Sequence, residues 1–357
     1  MIKILNIIGA RPQFIKMAAM NRVMKEIPLI KSVILHTGQH YDLNMSKIFF
    51  QELEIPEPDY NLDINQLERE EALEKMKRNI IPIIENENPN IIVVFGDTNS
   101  TLAGALAAKA LKVKVAHIEA GLRSYNNNMA EEINRIETDK ISTLNFAPTK
   151  LAYDTLISEQ QEISNSKVFL SGDIMLDAYN YYSKKINKTT NSLNLPKEFN
   201  LCTIHRQGLI ENYDLLENVI LALNQINEIT PVIMPAHPRT FYKLQNIGIP
   251  ITFRIIEPQS YLSMLQLLTN CNMVISDSGG LQKESYFAKK RCLVIREESE
   301  WTELIKAGLN ILSGFSTESI CENYVLLNSI KPIFNEEFYG DGTAAKKIIE
   351  EIISYCK

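Results

Sequence analysis

Short apolar runs and longer amphipathic stretches alternate along the whole chain. KILNIIG, SVILHTG, NIIVVFGD and VKVAHIEAG are aliphatic or β-branched runs, each closing on a Gly, Asp, His or Glu cluster. FIKMAAMNRVMKEI and STLAGALAAKALK lie between them and carry apolar residues at helical spacing. This order predicts βαβ units and a parallel, doubly wound sheet of the α/β class. The rhythm restarts with NLCTIHRQ, PVIMPAHPR, NMVISDSGG and RCLVIREES. Two rounds in 357 residues predict two doubly wound domains facing one another across a cleft. The joint is expected near Lys167 to Asp173, where VFLSGDIML follows a Ser/Asn-rich stretch, giving domains over 1–169 and 170–341. KKINKTTNSLNLPKEFN reads as a loop, either an excursion of the second domain or the linker itself, and TAAKKIIEEIISYCK as a terminal helix over 342–357.

Composition narrows the function classes. A hydrophobic content of 45% and a charged content of 22% are those of a soluble globular protein. No apolar run approaches the ~20 residues that span a bilayer, and MIKILNII enters a strand without a signal-peptide pattern. A cytoplasmic protein without membrane insertion is expected. The five cysteines lack paired spacing, which argues against a disulfide framework or a zinc ribbon; Cys202 and Cys292 read as small core residues. A formal net charge of −6 disfavours nucleic acid as a partner but leaves a small anion open.

Open α/β sheets bind ligands beyond the carboxyl ends of their strands. All five histidines (His36, His40, His117, His205 and His237) fall at or just after strand-like runs, as do Asp97, Glu119 and Asp277. Each histidine alone could be structural; as a set they mark a cleft. In IIGARPQFIK, Pro12 reads as the first helical residue, with Arg11 at the helix entrance and Lys16 one turn on. That is either an ordinary helix start or a site for phosphate. SDSGG offers a second anion site, since the Ser278-Gly279-Gly280 turn leads into a helix with Glu284 one turn inside, placed for ribose hydroxyls. Walker and GxGxxG loops are both missing, which disfavours NTP hydrolysis and nicotinamide chemistry. Glu131 and Arg135 are four apart, as a helix-surface ion pair or as a carboxylate facing a sugar. Without HExxH or paired Cys/His spacing, no metal site is expected.

GARPQFIK, HTGQHYDLNM, FGDTNSTLAGALAA, HIEAGLRS, EEINR, SDSGGLQKE and YGDG follow the order and spacing of non-hydrolysing UDP-N-acetylglucosamine 2-epimerases. The chain resembles that family from Ile4 to its last helix. The resemblance implies a GT-B-like pair of Rossmann-like domains, with the C-terminal one binding nucleotide and the terminal helix returning to the first. It also implies a homodimer, a UDP-sugar substrate, no cofactor, and inversion at C2 through elimination and re-addition of UDP. Asp97, Glu119 and Glu131 become acid/base and supporting carboxylates, and His205 assists the leaving phosphate. Arg11 and Ser278-Gly279-Gly280 hold the diphosphate, Glu284 the ribose, and Lys16, Arg135 and His237 line the cleft. A hydrolysing 2-epimerase or a GT-B glycosyltransferase is the alternative. Gln13, YDLNMSKIFF and ESEWTEL look most similar to a subgroup acting on UDP-2,3-diacetamido-glucuronic acid, whose extra carboxylate would call for another cation, with Arg239 the candidate. The usual Glu-Asn after the His-Arg pair is Gly208-Leu209 here, and the usual Pro before the paired glutamates is Ala130.

Overall fold

Ile4, Leu5, Ile7 and Ile8 of the first strand are all inaccessible to solvent, the pattern of a strand covered on both faces. A computed structural model describes residues 1–39, 49–65, 67–126, 128–159, 166–186, 194–334 and 337–357. His40, most of YDLNMSKIFF and the middle of the KKINKTTNSLNLPKEFN excursion lie outside the described residues. Two compact units form, one of Met1–Asn180 with Glu337–Lys357, the other of Tyr181–Glu336.

The first unit is built on β1 (Ile2–Ile8), β2 (Ile30–His36), β3 (Tyr60–Asn61), β4 (Ile91–Phe95), β5 (Val115–Ile118), β6 (Leu144–Ala147) and β7 (Lys167–Leu170). They pair in parallel in the order β3-β2-β1-β4-β5-β6-β7, with Leu5 beside Val33 on one side and Ile92 on the other. Helices α1 (Arg11–Met24), α2 (Arg69–Glu87), α3 (Asn99–Ala110), α4 (Ala130–Ile141), α5 (Lys150–Ser158) and α6 (Ile174–Tyr182) follow in sequence. In the second unit, β8 (Asn200–Thr203), β9 (Val232–Pro235), β10 (Arg254–Ile256), β11 (Met273–Ser276), β12 (Arg291–Val294) and β13 (Asn310–Leu312) form a parallel sheet in the order β10-β9-β8-β11-β12-β13. Its helices are α7 (Gln207–Ile210), α8 (Tyr213–Ile229), α9 (Pro238–Gln245), α10 (Tyr261–Asn270), α11 (Gly279–Phe287), α12 (Thr302–Lys306) and α13 (Thr317–Ser329). Cys202 and Cys292 are completely buried in this unit, and burial pushes both thiols up. Each unit is a Rossmann-like, doubly wound domain.

The joint falls at 180/181 rather than 169/170. β7 closes the edge of the first sheet, pairing Phe169 with Phe146 and stacking the two rings 5.3 Å apart. Strand pairing therefore carries the chain past the polar stretch that suggested a linker. The chain rejoins the first unit at Glu337, ahead of α14 (Ala344–Cys356), which packs on α1 through buried Ile348, Ile349 and Ile352. Asp177 of α6 accepts the Ala344 and Ala345 amides at 3.0 and 2.8 Å, capping α14 from another helix.

Chain direction across each sheet reverses once, between β1 and β4 in the first unit and between β8 and β11 in the second. Such switch points open a crevice beyond the strands' carboxyl ends. The loops flanking them are Gly9–Ala10 and Gly96–Thr98 in one unit, Ile204–Arg206 and Asp277–Ser278 in the other.

Candidate active site

At the first switch point, one buried amide ties the two loops together. Gln13 Oε1 accepts the Gly9 and Ala10 amides at 2.7 and 3.0 Å, and its Nε2 donates to Phe95 O, Thr98 Oγ1 and Thr101 Oγ1. Ala10 is the N-cap of α1, so Arg11 rather than Pro12 is the first helical residue. The Arg11 guanidinium lies 4.5 Å from the Phe49 ring centroid, a cation–π contact at the positive end of the helix. A side chain on Gly9 would meet Ser100 Oγ and Thr37 Oγ1 at about 2 Å, so only glycine fits where β1, β2 and the start of α3 converge.

Lys16, 5% exposed, points back from α1 to form a tight ion pair with the Glu119 carboxylate at the end of β5. Gly96 makes room for the pair, since a Cβ there would lie 3.1 Å from Lys16 Nζ and 3.2 Å from Glu119 Oε2. Glu119 has φ +71°, a left-handed conformation unfavourable for a glutamate. The Phe146 carbonyl secures it by accepting the amides of Glu119 and Ala120 at 3.1 and 3.0 Å. Stored backbone strain of this kind concentrates at functional sites.

Asp97 follows Gly96, and its carboxylate meets Arg135 Nη2 at 2.5 Å. The other arm of Arg135 pairs with Glu132. Glu131 lies on the exposed face of α4, while Glu132, Arg135 and Asp139, at i, i+3 and i+7, share its inward face. Glu132 accepts Ser124 N, Ser124 Oγ and Tyr125 N at 2.9–3.0 Å and so holds the HIEAGLRS loop. Asp139 accepts Arg123 Nη1 at 2.7 Å and Gly121 N at 3.1 Å. Burial alone would raise the Asp139 carboxyl, but the hydrogen bond and charge of His117, with Arg123, outweigh it and hold the group below its ordinary value.

His117 is fully buried, with Nδ1 2.7 Å from Asp139 Oδ1 and Nε2 donating to Gly96 O at 2.7 Å. It braces the turn before Asp97 and does not face solvent. His36 is also buried, stacked 5.2 Å from Phe14. These two histidines mark strand ends without lining a crevice.

The second unit repeats the logic with different residues. Asp277, 1% exposed, accepts the His205 and Arg206 amides on Oδ2 at 2.9 and 2.8 Å. Its Oδ1 lies 3.2 Å from His205 Nδ1, leaving an exposed imidazole at the switch point. Ser278 donates its amide to Ser276 Oγ at 2.9 Å and caps α11 through Oγ on Leu281 N. The Gly279 and Gly280 amides, at the first turn, have no intrahelical acceptor. A Cβ on Gly280 would meet nothing within 4 Å, so the turn is open to a ligand. Glu284 lies one turn further into α11. His237 caps α9 by accepting Arg239 N, and Arg239 is itself engaged by Glu211 on an exposed face. Sequence reading passed over Arg296, which grips Glu300 through two bonds of 2.9 and 3.2 Å, and Trp301 beside it. The order Arg-x-x-x-Glu just beyond a buried strand was the available signal.

A family model described as UDP-N-acetylglucosamine 2-epimerase matches residues 22–353. A Pseudomonas aeruginosa relative named UDP-2,3-diacetamido-2,3-dideoxy-D-glucuronate 2-epimerase is 42% identical, covering 98% of both chains. The UDP-N-acetylglucosamine 2-epimerase of Methanocaldococcus jannaschii is 37% identical, again covering 98% of each. A crystal structure of the M. jannaschii enzyme in complex with UDP-GlcNAc and UDP superposes with a TM-score of 0.91 at 36% identity, covering 99% of this chain and 100% of that one. The Neisseria meningitidis enzyme bound to UDP-GlcNAc gives a TM-score of 0.89 at 29% identity, covering 99% of this chain and 100% of that one.

Proposed function

The chain belongs to the UDP-N-acetylglucosamine 2-epimerase family, and from that premise we propose which UDP-sugar it epimerises at C2 and which residues carry the reaction. The proposed substrate is UDP-2,3-diacetamido-2,3-dideoxy-D-glucuronate. Its support is the 42% identity to the P. aeruginosa enzyme of that name, against 37% to the M. jannaschii enzyme. UDP-GlcNAc is the second reading, favoured by the TM-score of 0.91 to the structure holding it. Arg239, the candidate cation for the extra carboxylate, forms an exposed ion pair with Glu211 in the absence of ligand.

The C2 hydrogen of such a sugar has no neighbouring carbonyl to stabilise a carbanion, so direct deprotonation is prohibitive. Elimination avoids it. A base takes the C2 proton, the C–H electron pair becomes the C1=C2 bond, and the C1–O bond breaks with its electrons leaving on UDP. Protonation of the glycal at C2 from the opposite face, with a diphosphate oxygen re-forming the C1–O bond, gives the epimer. Two acid/base groups and a stabilised diphosphate are required.

Asp97 and Glu119 are assigned the proton transfers, each oriented by its own cation, Arg135 and Lys16. That pair of carboxylate–cation couples at the first switch point is the observation the reading rests on. Glu131, on the outer face of α4, is given at most a supporting part, and Glu132 takes over as the carboxylate that sets Arg135. Arg11, His205 and the Ser278-Gly279-Gly280 turn are assigned the diphosphate, Glu284 the ribose, and His237 the rim.

The deciding experiment is incubation in D₂O with each UDP-sugar, followed by NMR. Deuterium at C2 of a UDP-linked epimer supports the reading, and the faster substrate identifies the sugar. Free sugar with UDP would indicate the hydrolysing alternative. No exchange with either substrate would defeat the proposal.

A further inference from the structure

The glycine turn at the start of α11 is capped by Ser278, but its two glycines add no side-chain contacts to fix the direction of their own peptide planes. Gly279 and Gly280 carry no side chains, and glycine is the residue with the most backbone freedom to lose. A turn that must present amides in one direction needs an outside anchor.

Trp301 supplies it. Its indole Nε1–H donates to the Gly279 carbonyl at 2.8 Å, and the ring is 4% exposed. The carbonyl of Gly279 and the N–H of Gly280 belong to one planar trans peptide unit, in which they point in opposite directions. Whatever fixes the carbonyl therefore aims the amide. The anchor is itself braced twice. Trp301 N donates to Ser299 Oγ at 3.1 Å, and that hydroxyl donates to Gln282 Oε1, inside α11, at 2.6 Å. Lys283, also in α11 and 2% exposed, places Nζ 4.6 Å from the centroid of the indole. The loop after β12 thus grips the first turn of α11 at one carbonyl and two side chains. Glu300 comes near without blocking, its Oε2 3.6 Å from where a Gly279 Cβ would be, and Arg296 neutralises it.

We propose that Trp301 is a positioning residue for nucleotide binding. By holding the Gly279 carbonyl it orients the peptide plane so that the Gly280 N–H points at the diphosphate. This rests on the assignment of the diphosphate to that turn. The consequence is specific to the ligand's phosphates and should not touch its uridine.

Trp301 is the chain's one tryptophan, so its emission reports the surroundings of this ring and no other. The test uses the full-length protein with UDP and, separately, uridine as probes. UDP should change wild-type tryptophan emission and uridine should not. Trp301→Phe keeps a ring beside Lys283 but lacks the N–H. It should bind UDP about three- to tenfold more weakly by calorimetry, the scale of one neutral hydrogen bond, with uridine affinity unchanged. Wild-type emission unmoved by saturating UDP, or equal UDP affinity in Trp301→Phe, would overturn the inference alone. A wild-type protein that binds no UDP would bring down the assignment of the turn and the inference together.

Discussion

At the scale of single residues, the first sheet edge pairs each acid/base candidate with a cation instead of crowding the carboxylates. This makes the contribution of a charge separable from that of a shape. Asp97→Asn keeps the volume and an acceptor for Arg135 but cannot take a proton. Deuterium exchange at C2 should fall to background while UDP affinity stays within a few-fold; a fully active variant would remove Asp97 from the reaction. Lys16→Met leaves the Glu119 carboxylate, 9% exposed, without its ion-pair partner. Breaking a buried pair from one side costs about 3 kcal/mol, which a urea titration would register. Adding Glu119→Gln to that variant should restore much of the stability and none of the exchange, since the neutral pair no longer buries a charge and no longer carries a proton. The motifs made these residues legible at the level of type and place. Which of two adjacent glutamates faces inward was not legible from the pair alone. It follows from the phase of α4, where Glu132, Arg135 and Asp139 share a face and Glu131 does not. The histidines misled for a related reason. A strand's carboxyl end holds both crevice residues and the buried groups that brace the loops, and His117 and His36 are of the second kind.

At the scale of elements, long periodic segments were readable because burial repeats along them, as in α14, where Ala344, Ala345, Ile348, Ile349 and Ile352 are the buried positions. Strands of two to four residues such as β3 and β6 carry too few positions for a period and draw their definition from neighbours in the sheet. Contacts between elements were also hidden, and the cap that α6 places on α14 is the clearest case. Burial pushes the Asp177 carboxyl up to about 6, with the Asp173 charge adding to the rise, while the Ala345 and Ala344 amides and Arg22 oppose it. The folded chain therefore holds this proton more tightly than the unfolded chain, whose value is near the ordinary 3.8. As pH rises from about 4 to about 6 the unfolded state gives up the proton first, so this group's contribution to stability falls across that window and is flat above it. Asp177→Asn retains an oxygen acceptor for one of the two amides, which Asp177 serves with separate oxygens, and does not ionise. Its urea midpoint, compared with wild type at each pH, should gain steadily between pH 4 and 6. A constant difference across that range would show that Asp177 does not titrate there.

At the scale of the molecule, the doubled strand–helix rhythm made two domains legible, because each sheet needs its own set of crossover helices. The division between them was not legible. The polar, Ser/Asn-rich stretch favoured as the linker precedes an edge strand, and the crossing at 180/181 lies inside α6, just ahead of the KKINKTTNSLNLPKEFN stretch that was the alternative. The result is an asymmetry between the units. The second is continuous in sequence, whereas the first depends on residues 337–357 at the far end of the chain. Within that segment Ile348, Ile349 and Ile352 are completely buried, in the helix that packs on α1. At roughly 2 kcal/mol for each buried aliphatic side chain, the three contribute about 6 kcal/mol. That is a large share of the 5–15 kcal/mol by which a domain is normally stable. Ending the chain after Gly342 should therefore unfold the first unit selectively. The second unit keeps its sheet and its core around Val219, Leu223 and Ile275. Limited proteolysis of the shortened chain should leave a resistant fragment close to residues 181–336, and calorimetry should show loss of one transition with the other little changed. A shortened chain as protease-resistant over residues 1–180 as the full-length protein would mean that the first sheet and its own helices are sufficient, and that α14 adds only a surface layer.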